Sequence, residues 1–170
     1  MSTVTARRSI DASVAEIWRV CTDLPARARW LSTVDAVEAL TEGRFDAGTR
    51  WRETRSLPDG GVVVEEFEVV EASEPRSFTV VSPGIGVDYR TTYHFDPVAH
   101  RFGRGRPRPS RERTTVTVVQ EAVSTAPYGR VLALLFGGLA ARSAEWALHR
   151  ELADLTAAVR PVGRGPAVAA

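Results

Sequence analysis

The residues able to do chemistry in this sequence are Glu53, Arg55, Glu65, Tyr89 and Tyr93, and each sits in a run that alternates apolar with polar side chains. Such alternation is the pattern of a half-buried β-strand, whose successive side chains point to opposite faces. Tyr89, Thr91, Tyr93 and Phe95 alternate with Asp88, Arg90, Thr92 and His94, so both tyrosines fall on the apolar face. Odd parity likewise groups Glu53 and Arg55 with Trp51, and Glu65 with Val63, Phe67 and Val69. A carboxylate whose pKa is raised by burial can serve as general base, with a phenol or guanidinium as donor to a developing oxyanion. A one-residue slip of register would instead turn Glu53 and Glu65 to water. The tyrosines have two readings: core filler, or groups that meet a ligand through a hydroxyl that needs a partner when buried.

Other chemistries find no signature. The sequence has no H-E-x-x-H, C-x-x-C, Walker loop, G-x-S-x-G or G-x-G-x-x-G. His94, His100 and His149 lack metal-ligand spacing and read as surface residues, so neither a metal nor a cofactor is expected. Cys21 is the only cysteine, which excludes an intrachain disulfide and fits a reducing compartment. The N-terminus lacks an apolar signal core and no run approaches membrane-spanning length, so the expected location is cytoplasmic, without membrane insertion. At 170 residues, 44% hydrophobic and 25% charged, the chain has the proportions of one soluble globular domain. A net charge of +1 provides no whole-molecule field toward nucleic acid or membrane. All 22 basic residues are arginine, which reads as the codon bias of a high-GC bacterial genome.

The elements that must position these residues follow from local signals. Thr3 to Ile10 reads as a strand. Ser13 and Glu16 then form an S-x-x-E capping box, and Val14, Ile17, Trp18 and Cys21 recur on one helical face. Asp23-Leu24-Pro25 stops that helix and starts a shorter one carrying Trp30, since proline suits a first turn. A weak strand at Thr33 to Leu40 precedes strands at Thr49 to Leu57 and Val62 to Ala72, joined by the hairpin signal Pro58-Asp59-Gly60-Gly61. Strands at Ser77 to Val81, Val87 to Phe95 and Arg113 to Val123 complete an antiparallel meander with one buried face.

A helical segment runs from Thr125-Ala126-Pro127 to about Val159. Its stripe Leu132, Leu135, Phe136 and Leu139 lies nearly opposite the stripe Leu148, Leu152, Leu155 and Val159, which predicts a bend or break near Gly137-Gly138, or else a dimer contact on one stripe. Residues 99–112, rich in Arg, Gly and Pro, read as a mobile loop, and 161–170 as a disordered tail. The loop holds Arg104-Gly105-Arg106-Pro107, the core of a minor-groove hook; with no second hook or DNA-binding domain beside it, DNA binding is disfavoured.

The opening segment SIDASVAEIWRVCTDLPARARWL (Ser9 to Leu31) resembles that of the START-like, or Bet v 1-like (SRPBCC), superfamily in its polyketide cyclase/dehydrase-like branch. FDAGTRWRE (Phe45 to Glu53), FEVVEASEPRSFTV (Phe67 to Val80), RTTVTVVQE (Arg113 to Glu121) and RELADLTAAV (Arg150 to Val159) continue the likeness in order, over about residues 3 to 160. The resemblance implies an α+β helix-grip fold over residues 1–160: a curved seven-stranded antiparallel sheet around a long C-terminal helix, two short helices after the first strand, and a cavity for an apolar ligand. Strand parity then nominates Trp30, Trp51, Phe67, Phe78, Tyr89, Tyr93, Phe95, Val116, Val118 and Gln120 as lining, with Leu135, Phe136 and Leu139 from the helix.

In the aldol cyclisations and dehydrations of such relatives a cavity base removes a proton. Here Glu53 or Glu65 would be the base and Arg55, Tyr89 or Tyr93 the donor. The strand patterns do not closely match the aromatic polyketide cyclases, so none of their catalytic residues is carried over. The function classes implied are a cyclase/dehydrase-like protein holding a hydrophobic small molecule, a non-catalytic carrier of a lipid or quinone, and an interaction protein like the Hsp90 activators. The Arg-rich loop would suit an acidic protein partner such as an acyl carrier protein.

Overall fold

The computed structural model describes residues 2–57, 60–84, 86–98, 112–124 and 129–159, the side chains at 124 and 129–141 excepted. The chain runs β1 (Ser2–Ile10), α1 (Val14–Thr22), α2 (Leu24–Trp30), β2 (Ala36–Ala39), β3 (Arg50–Ser56), β4 (Val62–Ser73), β5 (Ser77–Pro83), β6 (Val87–Pro97), β7 (Thr114–Ser124) and α3 (Gly129–Ala158). Every strand pairs antiparallel with its neighbours in one seven-stranded sheet of order β1-β7-β6-β5-β4-β3-β2. The two short helices carry the chain from one sheet edge to the other, and the meander then walks back until β7 closes on β1. This is the helix-grip arrangement. Among the described residues no helix is long and apolar enough to cross a membrane.

The turn from β1 into the helices is built as its residue types demand. Ser13 Oγ accepts from the Glu16 N–H at 3.2 Å, and Glu16 Oε2 accepts from the Ser13 N–H at 2.8 Å. Asp23 closes α1 through its N–H to the Arg19 carbonyl and caps α2 by accepting from the Ala26 N–H. With entry and exit fixed, α1 drives Ile17, Trp18 and Cys21 against the sheet. Trp18 meets Phe45, Phe78 and Phe95 edge to face, a favoured geometry for aromatic quadrupoles. One core cluster joins these to Ile10 of β1, Val116 and Val118 of β7, and Leu148, Leu152 and Leu155 of α3.

A bulge in β4 modifies the parity argument. Before it Val69 pairs with Val80, and after it Ala72 pairs with Phe78, so the inward set changes from odd to even numbers. At the end of β3, Gly60 takes φ +84°, the left-handed conformation that a hairpin turn asks of glycine.

Two expectations change. The strand expected over Thr33 to Leu40 shrinks to Ala36–Ala39, because Ser32 is tied to Asp154 of α3 and Val34 is buried as a loop residue. Of the bend or break expected near Gly137-Gly138, the break does not occur: α3 is helical without interruption from Gly129 to Ala158. Each glycine costs about 1 kcal/mol relative to alanine, too little to open a helix of this length. The stripe Leu132, Leu135, Phe136 and Leu139, the Arg-rich loop from 99 to 111 and the tail from 161 lie outside the described side chains.

Candidate functional site

Between the sheet and α3 lies a cavity of about 400 Å³. The sheet supplies Trp51 and Arg55 from β3, Glu65 and Phe67 from β4, Phe78, Val80 and Ser82 from β5, Tyr89, Thr91 and Tyr93 from β6, and Gln120 from β7. Cys21, Arg27, Thr33 and Phe45 close one side. The roof is one face of α3: Ser143, Ala144, Ala147, Leu148 and Glu151. Three of those five are too small to reach the sheet, and that is why space remains there. One turn further on, Leu152 and Leu155 fill the corresponding space.

Aromatic pairs stiffen the wall. Trp51 stacks on Phe67 with centroids 5.3 Å apart, and Phe78 on Tyr93 at 4.6 Å. Behind and between them runs a chain of charges. Glu53, fully buried, accepts from Arg27 Nε at 2.5 Å and Trp51 Nε1 at 3.0 Å through one oxygen, and from Arg55 Nη2 at 2.6 Å through the other. Arg55 Nε also lies 3.2 Å from Glu65. Arg27 Nη2 reaches Glu151 at 3.5 Å, and the Tyr93 hydroxyl donates to the same Glu151 oxygen at 2.9 Å. Arg27 further sits over the rings of Trp30 and Trp51.

These contacts set the protonation states. Burial works to raise the Glu53 pKa, but Arg27, Arg55 and the Trp51 N–H together outweigh it and hold the carboxyl below its ordinary value. This direction favours the ionised form of Glu53 and weighs against the raised pKa that a general base there would need. Burial opposes the Arg27 charge, yet Glu53 and Glu151 more than compensate and raise its pKa. Burial, then the neighbouring Glu151 charge, pushes the Tyr93 phenol well above its usual value, so it stays a proton donor. Burial pushes the Cys21 thiol up to about 12, which leaves it a neutral wall residue rather than a nucleophile.

Of the residues nominated from sequence, Trp51, Arg55, Glu65, Phe67, Phe78, Tyr89, Tyr93 and Gln120 line the cavity. Four others do not. Phe95, Val116 and Val118 share the inward face but are packed solid beneath the helices, so they are core rather than lining. Trp30 packs against the core beside Arg27, with its Nε1 buried and without a hydrogen-bond partner among the described residues. Leu135, Phe136 and Leu139 fall outside the described side chains. Sequence reasoning missed Arg27 and Glu151. The signal was present: Arg27 lies three residues after Leu24 and four before Leu31, and Glu151 three after Leu148 and four before Leu155. A charge inside a buried helical stripe needs a partner, and each had one across the fold. Among the described residues no group of His, Cys, Asp and Glu has the geometry to hold a metal ion.

The protein family described as polyketide cyclase / dehydrase and lipid transport matches residues 1–160. No curated protein matches the chain. Among solved structures, a START superfamily protein from Mycobacterium smegmatis is similar at 15% identity over 92% of this chain and 96% of its own, with a TM-score of 0.69. Norcoclaurine synthase from Thalictrum flavum, in complex with dopamine and hydroxybenzaldehyde, is similar at 15% identity over 93% and 86%, with a TM-score of 0.61. The di-domain ARO/CYC protein BexL from the BE-7585A biosynthetic pathway is similar at 17% identity over 93% of this chain and 48% of its own, with a TM-score of 0.61. At these identities the shared property is the fold.

Proposed function

The chain belongs to the polyketide cyclase/dehydrase and lipid transport family, and from that membership we propose that its cavity binds a hydrophobic aromatic small molecule of polyketide type. The observation that carries this reading is the cavity of about 400 Å³, walled by stacked aromatic rings and crossed at one side by charged groups. Its size is within the ~300–1,000 Å³ typical of small-molecule sites, and a few fixed polar groups in an apolar wall are what orient a ligand. For cyclase/dehydrase-like chemistry Glu65 is the remaining base among the original candidates, with Tyr89, Tyr93 or Arg55 as donor.

One observation favours a second reading, a non-catalytic carrier. The carboxylates of Glu53, Glu65 and Glu151 each lie within 4 Å of a guanidinium, so each already has an ionic partner inside the fold. Docking of an acidic protein on the Arg-rich segment 99–112 belongs to the same proposal and rests on the sequence alone; binding through exposed charges should weaken with salt.

The test is titration with a tricyclic hydroxyanthraquinone, followed by quenching of tryptophan emission. Saturable binding is expected, weakened at least about tenfold by Ala144→Phe, which places bulk in the cavity roof. Equal affinity in that variant, with its circular dichroism unchanged, would move the ligand elsewhere. Incubation with a linear poly-β-ketone then separates the two readings: cyclisation above the buffer rate makes the protein an enzyme, and binding without it a carrier.

A further inference from the structure

On the reading that the cavity takes an aromatic small molecule, we infer that it selects ligands presenting a hydroxyl donor, a phenol or enol, and discriminates against ligands carrying a free carboxylate. The inference comes from how the charges are spent. The described charged groups at the cavity are Arg27 from α2, Arg55 from β3, Glu65 from β4 and Glu151 from α3, and Glu53 sits directly behind the wall in contact with both arginines. Two guanidinium groups thus face three carboxylates, which leaves one net negative charge. The other described polar side chains on the wall are neutral. An anion entering this space meets repulsion that surrounding apolar rings screen far less than water would.

Each arginine also has two carboxylate neighbours within the fold. Arg27 turns Nε to Glu53 and Nη2 toward Glu151, while Arg55 turns Nη2 to Glu53 and Nε toward Glu65. A ligand carboxylate that drew either guanidinium away from Glu53, which is 0% exposed, would leave that buried charge with one partner fewer. A hydroxyl donor faces no such obstacle. Glu151 takes the Tyr93 hydroxyl and Arg27 on a single oxygen, and an ionised carboxylate has about four acceptor sites across its two oxygens. A ligand O–H that reaches Glu151 or Glu65 would make a charge-assisted hydrogen bond, stronger than its neutral counterpart in water. The arginine pair, which at first sight resembles an anion receptor, is instead neutralised from within the fold.

Three probes of one ring system test this at pH 7 by isothermal titration: 2-naphthol, 2-methoxynaphthalene and 2-naphthoate. The expected order places 2-naphthol tightest, with the ether and the carboxylate each at least about tenfold weaker. Glu151→Gln should shrink the gap between 2-naphthol and 2-naphthoate, since it removes a negative charge and the ionic acceptor together. Glu65→Gln, on the opposite wall, repeats the measurement should the first variant fail to fold. A carboxylate that binds as tightly as the naphthol would overturn the selection and leave the cavity reading standing. An ether that matches the naphthol would do the same. If none of the three binds, both the selection and the aromatic-ligand reading fall.

Discussion

One strand, β6, crosses two kinds of interior on the same face. Phe95 at one end is 0% exposed, Tyr93 is buried, and Tyr89 at the other end is 39% exposed. All three obey the same alternation and point the same way. The difference lies above them. Phe95 meets Trp18 of α1 in a zone that Leu152 and Leu155 of α3 help to fill, whereas Tyr89 and Tyr93 look toward Ser143, Ala144 and Ala147. Parity decides which side chains turn inward; the bulk of the helix residue opposite decides whether they become core or cavity wall. Ala144 and Leu148, one helical turn apart on the same face, mark the crossover.

The sharpest way to break this comparison is to cut a side chain at each end. Phe95→Ala should cost about 4 kcal/mol in urea unfolding, as deletion of a packed aromatic does, while Tyr89→Ala at the open end should cost under about 1 kcal/mol. Equal losses would mean that the cavity end is as tightly packed as the core.

Next in size is the ion pair between the two regions. Arg27→Met should destabilise by about 3 kcal/mol because Glu53 remains buried with one guanidinium fewer. Adding Glu53→Leu to it should recover much of the loss, since the fully buried charge is then gone and Glu151, deprived of Arg27, keeps the Tyr93 hydroxyl. A double variant that is worse than the single one would show that the ionic chain stabilises the fold on its own account.

The same carboxylate predicts an acid response. The Glu53 pKa is held below its ordinary value in the fold by Arg27 and Arg55 against the effect of burial. Its stabilisation is therefore fully present above its unfolded pKa of about 4.3, and is lost as pH falls from there through the lower folded value. Thermal unfolding followed from pH 7 down to pH 3 should show a steeper acid loss in the wild type than in Glu53→Gln. Identical slopes would remove Glu53 from the pH dependence. The smallest effect belongs to a site remote from both regions: Ser13→Ala should cost about 1 kcal/mol through the lost cap and leave probe affinity unchanged.

What the sequence determined by itself is what near neighbours decide. The Ser13–Glu16 box, the Asp23 cap, the strand alternation and the hairpin turns are set within a few residues, and all were legible. The inward orientation of Trp51, Glu53, Arg55, Tyr89 and Tyr93 was legible for the same reason, because side-chain direction alternates along a strand whatever lies opposite. The tertiary structure alone decided the rest. The β4 bulge between Val69 and Glu71 resets parity through pairing with β5, and Phe95, Val116 and Val118 became core because the helices cover them. The protonation of Glu53 was set by Arg27, 26 residues earlier, and Tyr93 found its hydroxyl partner in Glu151, 58 residues later. Burial alone would raise the Glu53 pKa; the guanidinium that α2 brings to it works the other way, because the sign of a buried group's pKa shift depends on charges that only folding brings near.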